Sequence, residues 1–127
     1  MKIKNALFAA ATALAWLSMA VPAQAWELVG TKRADHIRDR DVIRVRGSDR
    51  HRAVRFCVTR ASLTIQRLQV VFANGGKQEV ALRKLFTPGT CSRAIDLRGN
   101  RRDIRRVVVV YSKLLPGKSP EMRVFAR

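Results

Sequence analysis

The sequence predicts an all-β protein: an antiparallel β-sandwich of about eight strands over residues 26–127, preceded by a helical signal peptide over residues 1–25. Three features predict it. Beyond residue 25 the apolar residues recur at every second position, the period of a pleated strand with one buried face. The apolar runs are short and are punctuated by Gly, Pro and Asn. No stretch between them carries the capped, 3.6-period pattern of a crossover helix, which leaves antiparallel connections and therefore a sandwich or a barrel, with the sandwich as the expectation.

The chain opens with a leader. Lys2 and Lys4 form a positive head, Ala6 to Val21 is almost purely apolar, and Ala23 and Ala25 put small residues where a signal peptidase reads them. The apolar stretch is short and Ala-rich for a membrane span, and no Cys stands where a lipoprotein signal needs one. The expectation is cleavage before Trp26, giving a periplasmic or secreted protein with no integral membrane segment. An uncleaved anchor is the competing reading.

The strand candidates follow in order. Residues 26–32 come first, then 41–47, where Ile43 and Val45 alternate with Arg44 and Arg46, and 52–59, where Val54, Phe56 and Val58 alternate with Arg55 and Cys57. In 61–73 the phase changes: Leu63 and Ile65 are odd while Leu68, Val70 and Phe72 are even, so both sets reach one core only if a bulge near Gln66-Arg67 absorbs a residue. Asn74-Gly75-Gly76 is the strongest hairpin signal and leads into 77–83, although Val80, Leu82, Leu85 and Phe86 also allow a short helical turn. Thr87-Pro88-Gly89 precedes 92–98, in which Ile95 and Leu97 flank Asp96, and Gly99-Asn100 precedes 103–112. There Val107 to Val110 and Tyr111 are apolar on both parities, as in a central strand covered on both sides; a buried helix is the alternative, opposed by four consecutive β-branched residues. Pro116-Gly117 turns the chain into 120–126, where Met122 and Val124 bracket Arg123.

Composition bounds the partners. The chain has 26 basic and 9 acidic residues; without Lys2 and Lys4 the balance is 24 − 9 = +15, and 19 of the 24 cations are Arg. Guanidinium groups present planar forks of donors to phosphate and carboxylate, so such a surface suits anionic polymers, although codon bias also produces arginine. The length suits one domain. Cys57 and Cys91 are the only cysteines, and an even count in an exported chain reads as a disulfide, with two free thiols as the alternative.

Trp26-Glu27-Leu28-Val29-Gly30, the Arg/Val alternation of Asp41 to Arg46, Val70-Val71-Phe72-Ala73-Asn74-Gly75, Ile95-Asp96-Leu97-Arg98-Gly99 and Ile104 to Tyr111 stand in an order that resembles the small exported bacterial proteins of unknown function grouped as YaaI-like. The resemblance spans most of the mature chain and implies an exported, single-domain β protein. It brings no catalytic residues with it.

No catalytic constellation is expected. Asp35, His36, Asp39 and Asp41 crowd together, but Arg33, Arg38 and Arg40 interleave with them, and the spacing is neither that of a calcium loop nor of a zinc site. Ser48, Asp49 and His51 are triad ingredients in one short turn, without a nucleophile elbow. No metal or cofactor is called for. The remaining signal is basic: Arg44, Arg46, Arg55 and Arg123 take the outward parity and would tile one face were their strands neighbours, while Arg98, Arg101, Arg102, Arg105 and Arg106 cluster around a turn. The expected partners are anionic polysaccharide or lipopolysaccharide phosphate groups. Nucleic acid is disfavoured by export and by aromatics on the core parity. The rival expectation is a protein-interaction module of the periplasm, with Trp26 or Phe125 exposed at the termini.

Overall fold

The computed structural model describes residues 25–34, 39–112, 114 and 117–127. The leader, apart from Ala25, the segment Asp35 to Arg38 and the turn residue Pro116 lie outside the described residues. Ten strands follow one another: β1 (Glu27–Arg33), β2 (Arg40–Arg44), β3 (Arg50–His51), β4 (Ala53–Thr59), β5 (Leu63–Phe72), β6 (Lys77–Phe86), β7 (Thr90–Cys91), β8 (Ile95–Asp96), β9 (Arg102–Tyr111) and β10 (Glu121–Ala126). They form two antiparallel sheets, the first in the order β1-β10-β4-β7 with β8 also on β4, the second in the order β2-β9-β5-β6 with β3 also on β9. The sandwich expected from the alternation is the observed architecture.

The alternating residues meet between the sheets. Val54, Phe56 and Val58 of β4 and Met122, Val124 and Ala126 of β10 face Leu68, Val70 and Phe72 of β5 and Val107 and Val109 of β9, all buried. Phe56 and Phe86 pack edge to face across the core, with centroids 5.9 Å apart. β9 lies between β2 and β5, and Val108, on its outer face, is buried as well, which is why the valine run is apolar on both parities. The phase change in β5 is absorbed as expected: the ladder shifts between Ile65 and Arg67 toward both neighbouring strands.

Three sequence expectations change. The apolar spacing of Val80 to Phe86 is a strand, with no helical turn: β5 supplies its hydrogen-bond partners, and a bulge at Leu82-Arg83, with Arg83 at φ 45°, alters the spacing. The candidate 52–59 is β4, but a two-residue strand not foreseen in the sequence, β3, stands just ahead of it, because the chain leaves β9 after His51 and joins β10 from Ala53. The candidate 92–98 is reduced to the two-residue β8 against β4, and a second short strand, β7, pairs with β4 just before it; between the two the Phe56 N–H donates to the Ser92 hydroxyl (3.0 Å) instead of to a strand carbonyl. The two-residue strands β3 and β7, outside every candidate, account for ten strands in place of about eight.

The two sheets are joined along one edge. β2 ends at Arg44; Val45 N–H then donates to Arg105 O (3.0 Å) and Arg46 N–H to Val29 O (2.8 Å), so the chain passes from one sheet to the other within two residues. Gly30 permits that approach: a Cβ there would lie 2.7 Å from Arg44 O and 2.8 Å from Ile43 Cγ2. On the far side of the first sheet, Cys57 and Cys91 stand opposite each other in β4 and β7 and are disulfide-bonded, with Cα atoms 4.0 Å apart. That lies inside the roughly 7 Å reach of a disulfide.

Candidate anion-binding cleft

The joined edge gathers several cations in one recess. Ile43 turns into the core, so its neighbour Arg44 turns out, directly opposite Arg106 of β9. In β9 the ladder to β5 runs from Val71↔Arg106 to Phe72↔Ile104, leaving Arg105 as the extra residue of a bulge. Ile104 and Val107 are buried on either side of it, and both intervening arginines are turned outward. Strict alternation would have sent Arg105 and Arg106 to opposite faces. The bulge makes them neighbours on one.

Together with Arg44 they line a cleft of about 660 Å³ whose other walls are Lys32, Val42 and Val45. Among the described residues no acidic side chain lines it. Lys32 leans toward Oδ1 of the buried Asp41 (3.6 Å), whose Oδ2 accepts a hydrogen bond from the Tyr111 hydroxyl (2.6 Å). Arg105 Nη2 donates to Ala73 O at 3.3 Å. Like charges opposed across a ladder, as Arg44 and Arg106 are, disfavour the fold slightly and favour any anion that bridges them. A recess lined by one sign of charge also focuses its field and raises the local concentration of counter-charged ligand.

The other basic residues are dispersed. Arg46 is exposed just beyond β2. Arg55 and Arg123 do not share a face with Arg44: β4 and β10 are neighbours, but β2 belongs to the other sheet, so the single tiled face expected from parity is two groups on opposite outer faces. Arg123 is engaged by Glu121 through Nε (2.9 Å) and Nη2 (2.8 Å). The hydrogen bond from Arg123, aided by that from Thr59, holds the Glu121 carboxyl below its ordinary range. Arg102 stacks 3.8 Å above the Phe72 ring and donates to Arg98 O (2.8 Å) and Asn74 Oδ1 (3.3 Å), so it ties two turns together. Arg98 and Arg101 are exposed on one of those turns.

A second set of residues was not legible as a group in the sequence. Arg55 lies 4.9 Å from the Trp26 ring and 5.7 Å from that of Phe125, and Arg127 lies 4.4 Å from Trp26. Only the pairing of β1, β10 and β4 brings these termini side by side. The turn with Ser48 and His51 offers no comparable arrangement: His51 is buried while Ser48 and Asp49 are exposed. Among the described residues no three His, Cys, Asp or Glu side chains are grouped to hold a metal ion. No helix among them is long and apolar enough to cross a membrane.

Comparison with known proteins bears on fold and family. No curated protein matches the sequence at a significant level. The fold is similar to part of a solved structure of Pseudomonas aeruginosa AlgX, with a TM-score of 0.50 and 9% identity over 80% of this chain. The chain spans about a quarter of that protein, 26% of its length, and at this identity the likeness concerns the fold alone. A family pattern described as a domain of unknown function, DUF2541, matches residues 7–126. On that match, and not on the narrower YaaI-like resemblance, the chain belongs to the DUF2541 family.

Proposed function

We propose that this chain is an exported, non-catalytic binding module that takes anionic envelope or extracellular polymers into the cleft lined by Arg44, Arg105 and Arg106. The observation that carries this reading is the convergence of those three guanidinium groups on one recess with no acidic residue among the described residues of its lining. The ligand chemistry follows from the wall. Guanidinium forks take carboxylates or phosphates in bidentate fashion, and Val42 and Val45 offer apolar contact to the C–H faces of a sugar ring. Export is supported by the leader pattern of the first 25 residues and by the disulfide.

The test is retention on immobilised polygalacturonate and on immobilised lipopolysaccharide as a function of salt. The wild-type protein is expected to bind at low ionic strength and to elute as screening rises. The triple variant R44A/R105A/R106A should elute earlier than R93A/R98A/R101A, which removes the same charge from exposed positions elsewhere. Equal elution of the two variants would defeat the assignment to the cleft. The two columns separate a uronate ligand from lipid-borne phosphate.

A second reading, a protein-interaction module, is favoured by one observation: Leu28, exposed, pairs with Phe125 in the ladder and adjoins Trp26. Its signature is a complex that persists at high salt, where binding at the cleft is lost.

A further inference from the structure

We propose a second anion site on the opposite face of the sandwich, formed by Arg55, Arg127 and Trp26, which lets one molecule bridge two strands of an anionic polymer. The proposal rests on the polymer-binding reading above and extends it. Val54 and Phe56 point into the core, which turns Arg55 outward beside its ladder partner Phe125. Arg55 and Arg127 both lie over the Trp26 ring.

What marks this group as a site is how its charges are left. Arg123, on the same face, has its charge matched by Glu121 at 2.8 Å. Arg55 has no such partner among the described residues, and its Nε is buried without a hydrogen-bond acceptor. A buried donor with no acceptor is costly, and attraction to a ring face replaces only part of what water supplied. An anion that accepts from the outer N–H groups of the same guanidinium would offset the cost of holding that charge under the rings. The backbone already positions the second cation: Arg127 O accepts from Arg52 N–H (2.7 Å) and Ala53 N–H (3.1 Å), and Arg127 N–H donates to Ala53 O (3.1 Å). A carboxylate or phosphate between these arginines, with a sugar ring against the edge of Trp26, fits the same ligand class as the cleft.

The geometry separates the two sites by the thickness of the sandwich, because Arg44 and Arg106 leave the outer face of the second sheet while Arg55 leaves that of the first. One rigid polymer segment cannot occupy both, so two segments are held. Binding thereby becomes cross-linking, with the gain that linked sites bring.

The experiment uses the exported protein and two probes, trigalacturonate and long polygalacturonate. Trp16 lies in the leader, so after cleavage Trp26 is the one tryptophan and its fluorescence reports this site alone. The oligomer should shift that fluorescence in the wild type and in R44A/R105A/R106A, and R55A/R127A should bind it at this site roughly tenfold more weakly, the loss expected for removal of charge-assisted bonds. Long polymer should give light scattering that peaks at intermediate protein ratios with the wild type only, while each variant still binds through its remaining site. An unresponsive Trp26 in the wild type, or unchanged scattering from R55A/R127A, would overturn the second site and the bridging. By contrast, a cleft variant retained and scattering like the wild type would overturn the cleft reading, and bridging with it. Unchanged melting temperatures establish that the variants are folded.

Discussion

The Tyr111 hydroxyl donates a hydrogen bond of 2.6 Å to Oδ2 of Asp41 inside the sandwich, and Lys32 approaches the other oxygen of that carboxylate at 3.6 Å. Asp41 is 4% exposed and sits on the inner side of β2, where an apolar residue would ordinarily stand. The three residues come from β9, β2 and β1, so a buried carboxylate ties the edge strands β1 and β2 of the two sheets to β9. Burying a charge is tolerated only when it is paired and hydrogen-bonded. Tyr111→Phe removes one of those donors at constant shape. It is expected to lower stability by about 1–3 kcal/mol in urea denaturation, the cost of under-satisfying a buried polar group.

Gly30→Ala addresses the same seam from the backbone. The added methyl would meet Arg44 O at 2.7 Å, and a carbonyl held in a strand cannot rotate away as a side chain does. A loss of about 1–3 kcal/mol is expected, as for other overpacked sites. Because the displaced peptide carries Arg44, earlier elution from polygalacturonate should accompany the lower melting temperature, whereas a destabilising change remote from the seam should leave elution of the folded protein unchanged.

The disulfide closes a sequence separation of 34 residues. Restricting the unfolded chain over such a loop contributes on the order of 3–4 kcal/mol. Reduction, or the replacement C57S/C91S, is therefore expected to lower the unfolding free energy from urea denaturation by that amount, and a loss below about 1 kcal/mol would contradict it. Cys57 is buried and Cys91 exposed, so the break frees β7 first, with little change in the core of β4.

Glu121 gives the stability a dependence on acid. Its carboxyl titrates below its ordinary value near 4.5 because Arg123 hydrogen-bonds the charged form. The folded state therefore takes up this proton less readily than the unfolded chain. The stabilisation is whole above about pH 4.5 and fades as pH falls through the lowered value. Glu121→Gln should lose less stability than the wild type between about pH 6 and pH 3, by at most about 1 kcal/mol for so accessible a pair.

The strand set was legible because a sandwich buries one face of each strand, so alternation at 43–45, 54–58 and 122–124 survives in the residues themselves. The phase change at Gln66 could be read for the same reason: Leu63 and Ile65 on one parity and Leu68 to Phe72 on the other cannot share a core without an extra residue. The bulge at Arg105 could not be read in this way. Ile104 is even while Val107 and Val109 are odd, but the run Val107 to Val110 is apolar on both parities, so the sequence defines no change of phase there.

By itself the chain's sequence determined the all-β class, the hairpin at Asn74-Gly75, the central place of the valine run and the presence of two cysteines able to pair, since each depends on local parity, turn chemistry or count. The tertiary structure alone decided which arginines meet. Parity states that Arg44, Arg55 and Arg123 point away from the core, but not in which sheet each strand lies; the order β1-β10-β4-β7 against β2-β9-β5-β6 divides them between two faces. Strand order is set by packing between distant segments, and charge on a solvated face places almost no constraint on it.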